Sequence, residues 1–163
     1  LRQDLSKFAY ASYCVEIIRE ALPEGEVNLP AYNLLSNVLK MMCISDERLA
    51  ARLFDFRMLK ISGYLPHLTC CVKCGRPLPD KAVFSSQDGG MVCCGGVSGV
   101  LVGKDTVAIM SRLAEIEISK ANRLKPSPKH LSEMEKVTKA YWETVLEKPL
   151  QSVEFIDRMR QFA

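Results

Sequence analysis

The sequence predicts a mainly α fold, a helical bundle interrupted by one small β finger. Three observations predict it. Apolar residues recur at steps of three and four through residues 1–63 and again through 104–163, the period of helices that bury one face. Between them, residues 64–103 are broken by Pro66, Gly75, Pro77, Pro79, Gly89, Gly90, Gly95 and Gly96 and hold only short β-like runs. That middle stretch also carries Cys70, Cys71, Cys74, Cys93 and Cys94. Two of these stand as Cys71-Val72-Lys73-Cys74-Gly75, the turn from which zinc-ribbon-like fingers are built.

The elements follow in order. A first helix carries Leu5, Phe8, Ala11, Val15, Ile18 and Leu22, expected as its core stripe, and Pro23 with Gly25 stops it. The second has Pro30 in its first turn, where no intrahelical N–H bond is forfeited, and Leu34, Leu35, Val38, Leu39 and Met42 as its apolar face. Ser45 is expected to cap a third, with Asp46 and Glu47 at the positive end of its dipole and Leu49, Leu53, Phe56 and Leu59 turned inward until Gly63. The short connections make these helices antiparallel neighbours. In the finger, Ala82-Val83-Phe84 and Met91-Val92-Cys93 read as β-like. So few large apolar groups cannot hold such a segment unaided, and a metal or its neighbours must do so. Asp105 is expected to cap the next helix, with Val107, Met110, Leu113 and Ile116 inside. Ser127-Pro128 opens another, with Leu131, Met134, Val137, Tyr141 and Val145, which Pro149 ends, and Ser152 starts a last one with Val153, Ile156 and Met159.

Composition bounds the function. The 163 residues, 48% apolar and 25% charged, suit one domain with its own core. No apolar run approaches the ~18 residues of a membrane span. An odd number of cysteines without a secretory leader points to a reducing cytosol, where clustered cysteines argue for metal over disulfides. Cys14 and Cys43, in helical patterns, are expected as buried packing thiols. A chain opening at Leu1 reads as a piece of something longer. There is no phosphate-cradling glycine loop, no paired nucleophile and base, and two histidines only, His67 beside the knuckle and His130, expected to be exposed; no enzyme is expected.

The net charge of +3 is too small to demand nucleic acid. Between Glu117 and Glu133, however, stand Lys120, Arg123, Lys125 and Lys129 with no acidic residue. Together with Arg112 they are candidates for holding DNA phosphates or an acidic peptide, against the plainer reading of a solvated loop and helix start. Arg52, Arg57, Lys60 and Arg112 sit on otherwise apolar helices; most are expected to face outward as solubilising residues, the other reading being the basic rim of a groove for an acidic tail that ends in apolar side chains.

The cysteine pattern is irregular in its second half. A matching knuckle would place cysteines at 93 and 96, but position 96 is Gly96. Cys71, Cys74 and Cys93 supply three thiolates, and the fourth donor is Cys94, Cys70, His67, a water or none. Cys94 is the nearest. Successive residues in extended chain point to opposite faces, so both Cys93 and Cys94 reach one ion only if the backbone turns sharply at Gly95-Gly96. The zinc so held is expected to be structural, since the ribbon offers no carboxylate spaced to act as a base.

A family likeness rests on three segments. Leu53-Phe54-Asp55-Phe56-Arg57-Met58-Leu59-Lys60-Ile61-Ser62-Gly63-Tyr64-Leu65-Pro66-His67-Leu68, leading into Cys71-Val72-Lys73-Cys74-Gly75, resembles the bacterial DNA repair protein RecO. Phe84-Ser85 before Gly89-Gly90-Met91-Val92-Cys93 is similar to that family's second knuckle. Tyr141 followed by Leu146-Glu147-Lys148-Pro149-Leu150-Gln151-Ser152-Val153-Glu154-Phe155-Ile156 is similar to its closing motif. The resemblance implies the family's carboxy-terminal helical and zinc-ribbon part, without the amino-terminal OB-fold; Gly96 departs from the cysteine that many members carry there. It further implies a recombination mediator of the RecF pathway, not an enzyme. Such proteins bind single- and double-stranded DNA, anneal strands, contact the acidic tail of single-strand DNA-binding protein and join RecR so that RecA loads, in the bacterial cytoplasm at the nucleoid. Two other readings share the knuckle. A generic zinc-ribbon docking module gives no reason for the Gly63-Tyr64 and Leu150–Ser152 segments, and a redox or metal-handling protein draws on the pairs Cys70-Cys71 and Cys93-Cys94.

Overall fold

The computed structural model describes residues 4–161. Its elements run α1 (Leu5–Ala21), α2 (Leu29–Ile44), α3 (Glu47–Ile61), β1 (Lys81–Ser85), β2 (Gly90–Val92), β3 (Val100–Gly103), α4 (Lys104–Glu115), α5 (Pro128–Leu146) and α6 (Gln151–Gln161), with a 3-10 helix, Ile118–Arg123, between α4 and α5. The chain is mainly α with a small β insertion, as the periodicities predict.

The centre of the bundle is α3. Every residue from Leu49 to Phe56 is buried, with Met58 and Leu59, and the helix packs against α1, α2, α4 and α5. A helix enclosed on all sides needs no polar face, yet this one carries Arg52 and Asp55, both buried. It ends on a double closure, in which the Tyr64 N–H donates to the Leu59 carbonyl (2.7 Å) and the Gly63 N–H to that of Lys60 (3.2 Å), with Gly63 at φ 80°. The chain leaves directly into the finger.

The finger is a three-stranded antiparallel sheet in the order β2-β1-β3. In register, Phe84 lies opposite Met91 on β2 and Val100 on β3, and Ala82 opposite Val102. Phe84, Met91 and Val102 are fully buried, and the Phe84 ring meets the Tyr141 ring of α5 edge-on at 5.3 Å. One sheet face thus rests on the bundle. The sequence reading lacked β3, whose four residues Val100–Gly103 carry no alternation strong enough to mark a strand; pairing with β1 makes it one.

Several boundaries and faces differ from expectation. The core side of α1 is Ala9, Tyr10, Tyr13, Cys14 and Ile17, whereas Leu5, Phe8 and Val15 are exposed, Leu5 by 60%. This helix is apolar on two faces, and a 3.6-residue period does not say which one turns inward. The tyrosines are drawn inside because their hydroxyls find acceptors there, Tyr13 in Asp55 (2.8 Å) and Tyr10 in Glu135 (3.0 Å). Cys14 is buried as expected, but Cys43 is exposed at the end of α2. The cap of α3 is Asp46, not Ser45: its carboxylate accepts from the Arg48 and Leu49 N–H groups at 2.8 and 3.0 Å. Gly103, not Asp105, precedes α4, and Glu133 of α5 takes up the Gly103 N–H (3.1 Å) and the Thr106 hydroxyl. The first turn of α6 starts at Gln151 and is likewise capped from outside, by Glu16 of α1, which accepts from the Gln151 and Ser152 N–H groups at 2.9 and 2.8 Å. Ser127 does cap α5, with His130 closing the box by accepting the Ser127 N–H on Nδ1 (3.3 Å).

Candidate metal centre and basic surface

Residues 67–72 lie alongside β2. The His67 N–H donates to the Gly89 carbonyl (2.9 Å), the Met91 N–H to the His67 carbonyl (3.0 Å) and the Val72 N–H to the Met91 carbonyl (2.9 Å). This pairing carries Cys71 to the end of β2, where the Cys93 N–H donates to its sulfur at 3.4 Å. The knuckle then folds back: the Gly75 N–H closes on the Cys71 carbonyl (2.8 Å) and the Cys71 N–H on the Arg76 carbonyl (3.0 Å), returning Cys74 to Cys71. On the other side the chain leaves β2 and turns through Gly95 (φ 85°) and Gly96 (φ 57°), left-handed values that glycine adopts without penalty.

The Sγ atoms of Cys71, Cys74, Cys93 and Cys94 all lie within 4.8 Å of one another. Cys71 and Cys94 are 3.9 Å apart and Cys74 and Cys93 3.6 Å. These separations are far beyond the ~2.05 Å of a disulfide. They match the ~3.8 Å that separates thiolates around a tetrahedral ion with ~2.3 Å bonds. The donor set therefore fits zinc. Cys70 and His67, the other candidates for the fourth position, lie outside this cluster and face each other, Sγ to Nε2 at 3.1 Å.

The electrostatics of the four sulfurs are unequal. Backbone N–H groups of Cys93 and then of Cys74 draw the Cys71 thiol down to about 6. The Arg76 guanidinium, donating from Nε to the Cys74 sulfur at 3.4 Å, lowers Cys74. The other two are pushed up, Cys93 to about 12 by its hydrogen bond with Cys74 in the first place and then by burial, and Cys94 upward by hydrogen bonding with Cys74 and then Cys71. The thiols oppose one another's full ionisation, and a bound cation removes that opposition.

The basic candidates do not form one patch. Arg112 is exposed on α4, Lys120 and Arg123 on the 3-10 helix, Lys125 beyond it and Lys129 in the first turn of α5. Lys120 is paired with Glu117 (2.7 Å) and Lys129 lies 3.8 Å from Glu133, so the acidic residues that bracket the run take up two of its cations. Lys125 lines a cavity of about 340 Å³ together with Ile44, Leu49, Leu124 and Leu131. The Ser45 hydroxyl, donating to Asn122 Oδ1 at 2.7 Å, ties its two walls together. Arg112 and Lys129 are not among its lining residues. Of the residues expected outside, Lys60 is exposed beside Glu115, but Arg57 is half-buried and donates to the Leu113 and Ile116 carbonyls, and Arg52 is buried.

The family model described as Recombination protein O C terminal matches residues 2–154. The chain belongs to the RecO family. It is 34% identical to the DNA repair protein RecO of Moorella thermoacetica over 98% of its own length and 62% of that relative's. Against the DNA repair protein RecO of Pelotomaculum thermopropionicum it is 31% identical, covering 99% of this chain and 64% of the other, and against that of Alkaliphilus metalliredigens 31%, covering 86% and 60%. The chain thus spans somewhat over half the length of these curated RecO relatives.

The structure also holds a buried polar centre that the sequence alone did not reveal. Arg52 Nε and Asp55 Oδ2 stand 3.0 Å apart, Arg52 donates to the Thr138 hydroxyl (2.6 Å), and Asp55 accepts from Tyr13 and from Trp142 Nε1 (3.0 Å). Burial pushes the Asp55 carboxyl upward, and the Arg52 charge and the Tyr13 and Trp142 hydrogen bonds oppose that shift. Beside it Glu135 collects Arg48 (3.0 Å), Arg160 (2.6 Å) and Tyr10. A signal was present in the sequence: opposite charges at a spacing of three inside the stretch Leu49–Phe56, whose other positions are all apolar.

Proposed function

We propose that this chain is the zinc-stabilised interaction part of a DNA repair and homologous recombination mediator, with Cys71, Cys74, Cys93 and Cys94 holding one structural zinc. The observation that carries the reading is the coincidence of membership in the RecO family with four sulfurs at tetrahedral spacing. Zinc supplies the cross-link between knuckle and strand end; the residues around it position donors and catalyse nothing. Acting with RecR, single-strand DNA-binding protein and DNA, such a domain supports strand annealing and RecA loading.

For the acidic tail of single-strand DNA-binding protein, the favoured seat is the cavity beside Lys125, with Lys120 and Arg123 as its basic approach. Apolar walls of Ile44, Leu49, Leu124 and Leu131 suit a tail that ends in apolar side chains; Lys125, the one cation among the lining residues, suits its acidic part, with Asp46 on the same lining setting a limit to that attraction. A titration with a peptide of that tail tests this. K125E and R123E should weaken binding several-fold, and more at low salt, while R112E should leave it unchanged. Equal affinity across all these variants removes the proposed rim. Elemental analysis of chain purified without added metal should find about one zinc per chain.

A further inference from the structure

The two halves of the four-thiol cluster differ in access. Cys71 is 1% exposed and its sulfur is held inside by the Cys93 N–H, whereas Cys74 is exposed at the outer corner of the knuckle. The adjacent cysteines Cys93 and Cys94 divide between these halves, Cys93 standing 3.6 Å from Cys74 and Cys94 standing 3.9 Å from Cys71. Cys70, the neighbouring thiol, is turned to His67 and away from both.

We propose that Cys74 and Cys93 form a peroxide-reactive pair that closes to a disulfide while Cys71 and Cys94 stay reduced. The inference rests on the metal reading above. Cys74 is the most exposed of the four cysteines and so the first that a hydroperoxide meets from solvent, and the Arg76 Nε–H is donated to its sulfur at 3.4 Å. In the first step the Cys74 thiolate attacks a peroxide oxygen; the O–O bond breaks, the sulfur becomes a sulfenic acid, and hydroxide leaves. In the second, the Cys93 thiolate attacks that sulfur; the S–S bond forms, the S–O bond breaks, and a second hydroxide leaves. With the two thiol protons this gives two waters, so two thiols and one hydrogen peroxide yield one disulfide, the sulfurs giving up two electrons and the peroxide taking them. Closing 3.6 Å to ~2.05 Å is a side-chain movement of about 1.5 Å. The chain thereby loses two of four sulfur donors. The new bond keeps the knuckle tethered to the end of β2, which makes the change reversible by a thiol reductant.

The test uses the full chain as purified. Zinc is first quantified, hydrogen peroxide is added in steps to one equivalent, free thiols are alkylated at low pH, and disulfides are mapped by peptide mass spectrometry while a chromogenic chelator reports released metal. The expected first product has Cys74 joined to Cys93, Cys71 and Cys94 alkylated, and about one zinc released per disulfide, as one site per chain implies; reductant and added zinc restore the starting state. A first disulfide between Cys71 and Cys74, or oxidation at Cys70 with the metal retained, overturns the assignment. Chain that carries no zinc before peroxide overturns the metal reading instead, so the two failures are told apart.

Discussion

Glu135 of α5 ties together three other helices, through Tyr10 of α1, Arg48 of α3 and Arg160 of α6. Burial works against its charge, but hydrogen bonds from Arg48 and Arg160 and the charge of Arg52 bring its carboxyl down to about 2. Because the folded value lies below the ordinary 4.5, the stabilisation is complete above that value and is lost as pH falls from 4.5 toward 2, where the unfolded chain takes up a proton first. The contribution is on the order of 2 kcal/mol after screening by solvent. Urea unfolding between pH 6 and 2 should show it, and E135Q should flatten the part of the pH dependence that this carboxylate provides. At this scale the sequence was legible where chemistry is local. Cys71 and Cys74 declare themselves by spacing, and Cys14 was expected inside as a packing thiol although it lies off the stripe that was expected to face the core. Cys94 needed the turn at Gly95-Gly96 before its sulfur could be located, and Arg52 with Asp55 needed their partners on α1 and α5, Tyr13, Thr138 and Trp142. Those contacts join residues tens of positions apart, so no window of sequence contains them.

Among the elements, the helices were readable from their own ends when the cap lay in the chain beside them, as with Pro30, Gly63 and Ser127-Pro128. The starts of α4 and α6 were misread because their caps are supplied from elsewhere, Glu133 and Glu16. This makes a prediction about α6. E16A removes the acceptor for the Gln151 and Ser152 N–H groups and should cost about 1 kcal/mol, the usual effect of losing a cap. Hydrogen exchange of the first-turn amides of α6 should quicken markedly while that of α3 stays as it was. Uniform quickening through both helices would mean that Glu16 supports the whole bundle and not this helix end. The misassigned face of α1 has a similar origin, since two apolar stripes compete and only the hydroxyl acceptors behind them decide.

Taken whole, the molecule is a bundle built round α3, from whose end the finger departs and to whose α4 it returns. The finger leans on the bundle through Phe84 and Tyr141, whereas Cys71 and Val92, buried at its far end beside the other sulfurs, lie outside the main hydrophobic core. With zinc in the cluster as proposed, its removal by a strong chelator should therefore raise hydrogen exchange over residues 67–76 and 90–99, leave α1 to α5 protected, and change the far-ultraviolet circular dichroism little. Loss of helical signal in step with metal would show that bundle and finger fold as one cooperative unit.

The paired donors at 93 and 94 also release the residues that follow. From Gly95 to Ser98 the chain contributes no sulfur, so that arc is free to lengthen without disturbing the cluster, until Gly99, where a Cβ would stand 2.1 Å from the Phe84 carbonyl oxygen. An insertion after Val97 is the place to attach a fluorophore or an affinity handle, and Gly99 marks where such engineering must stop.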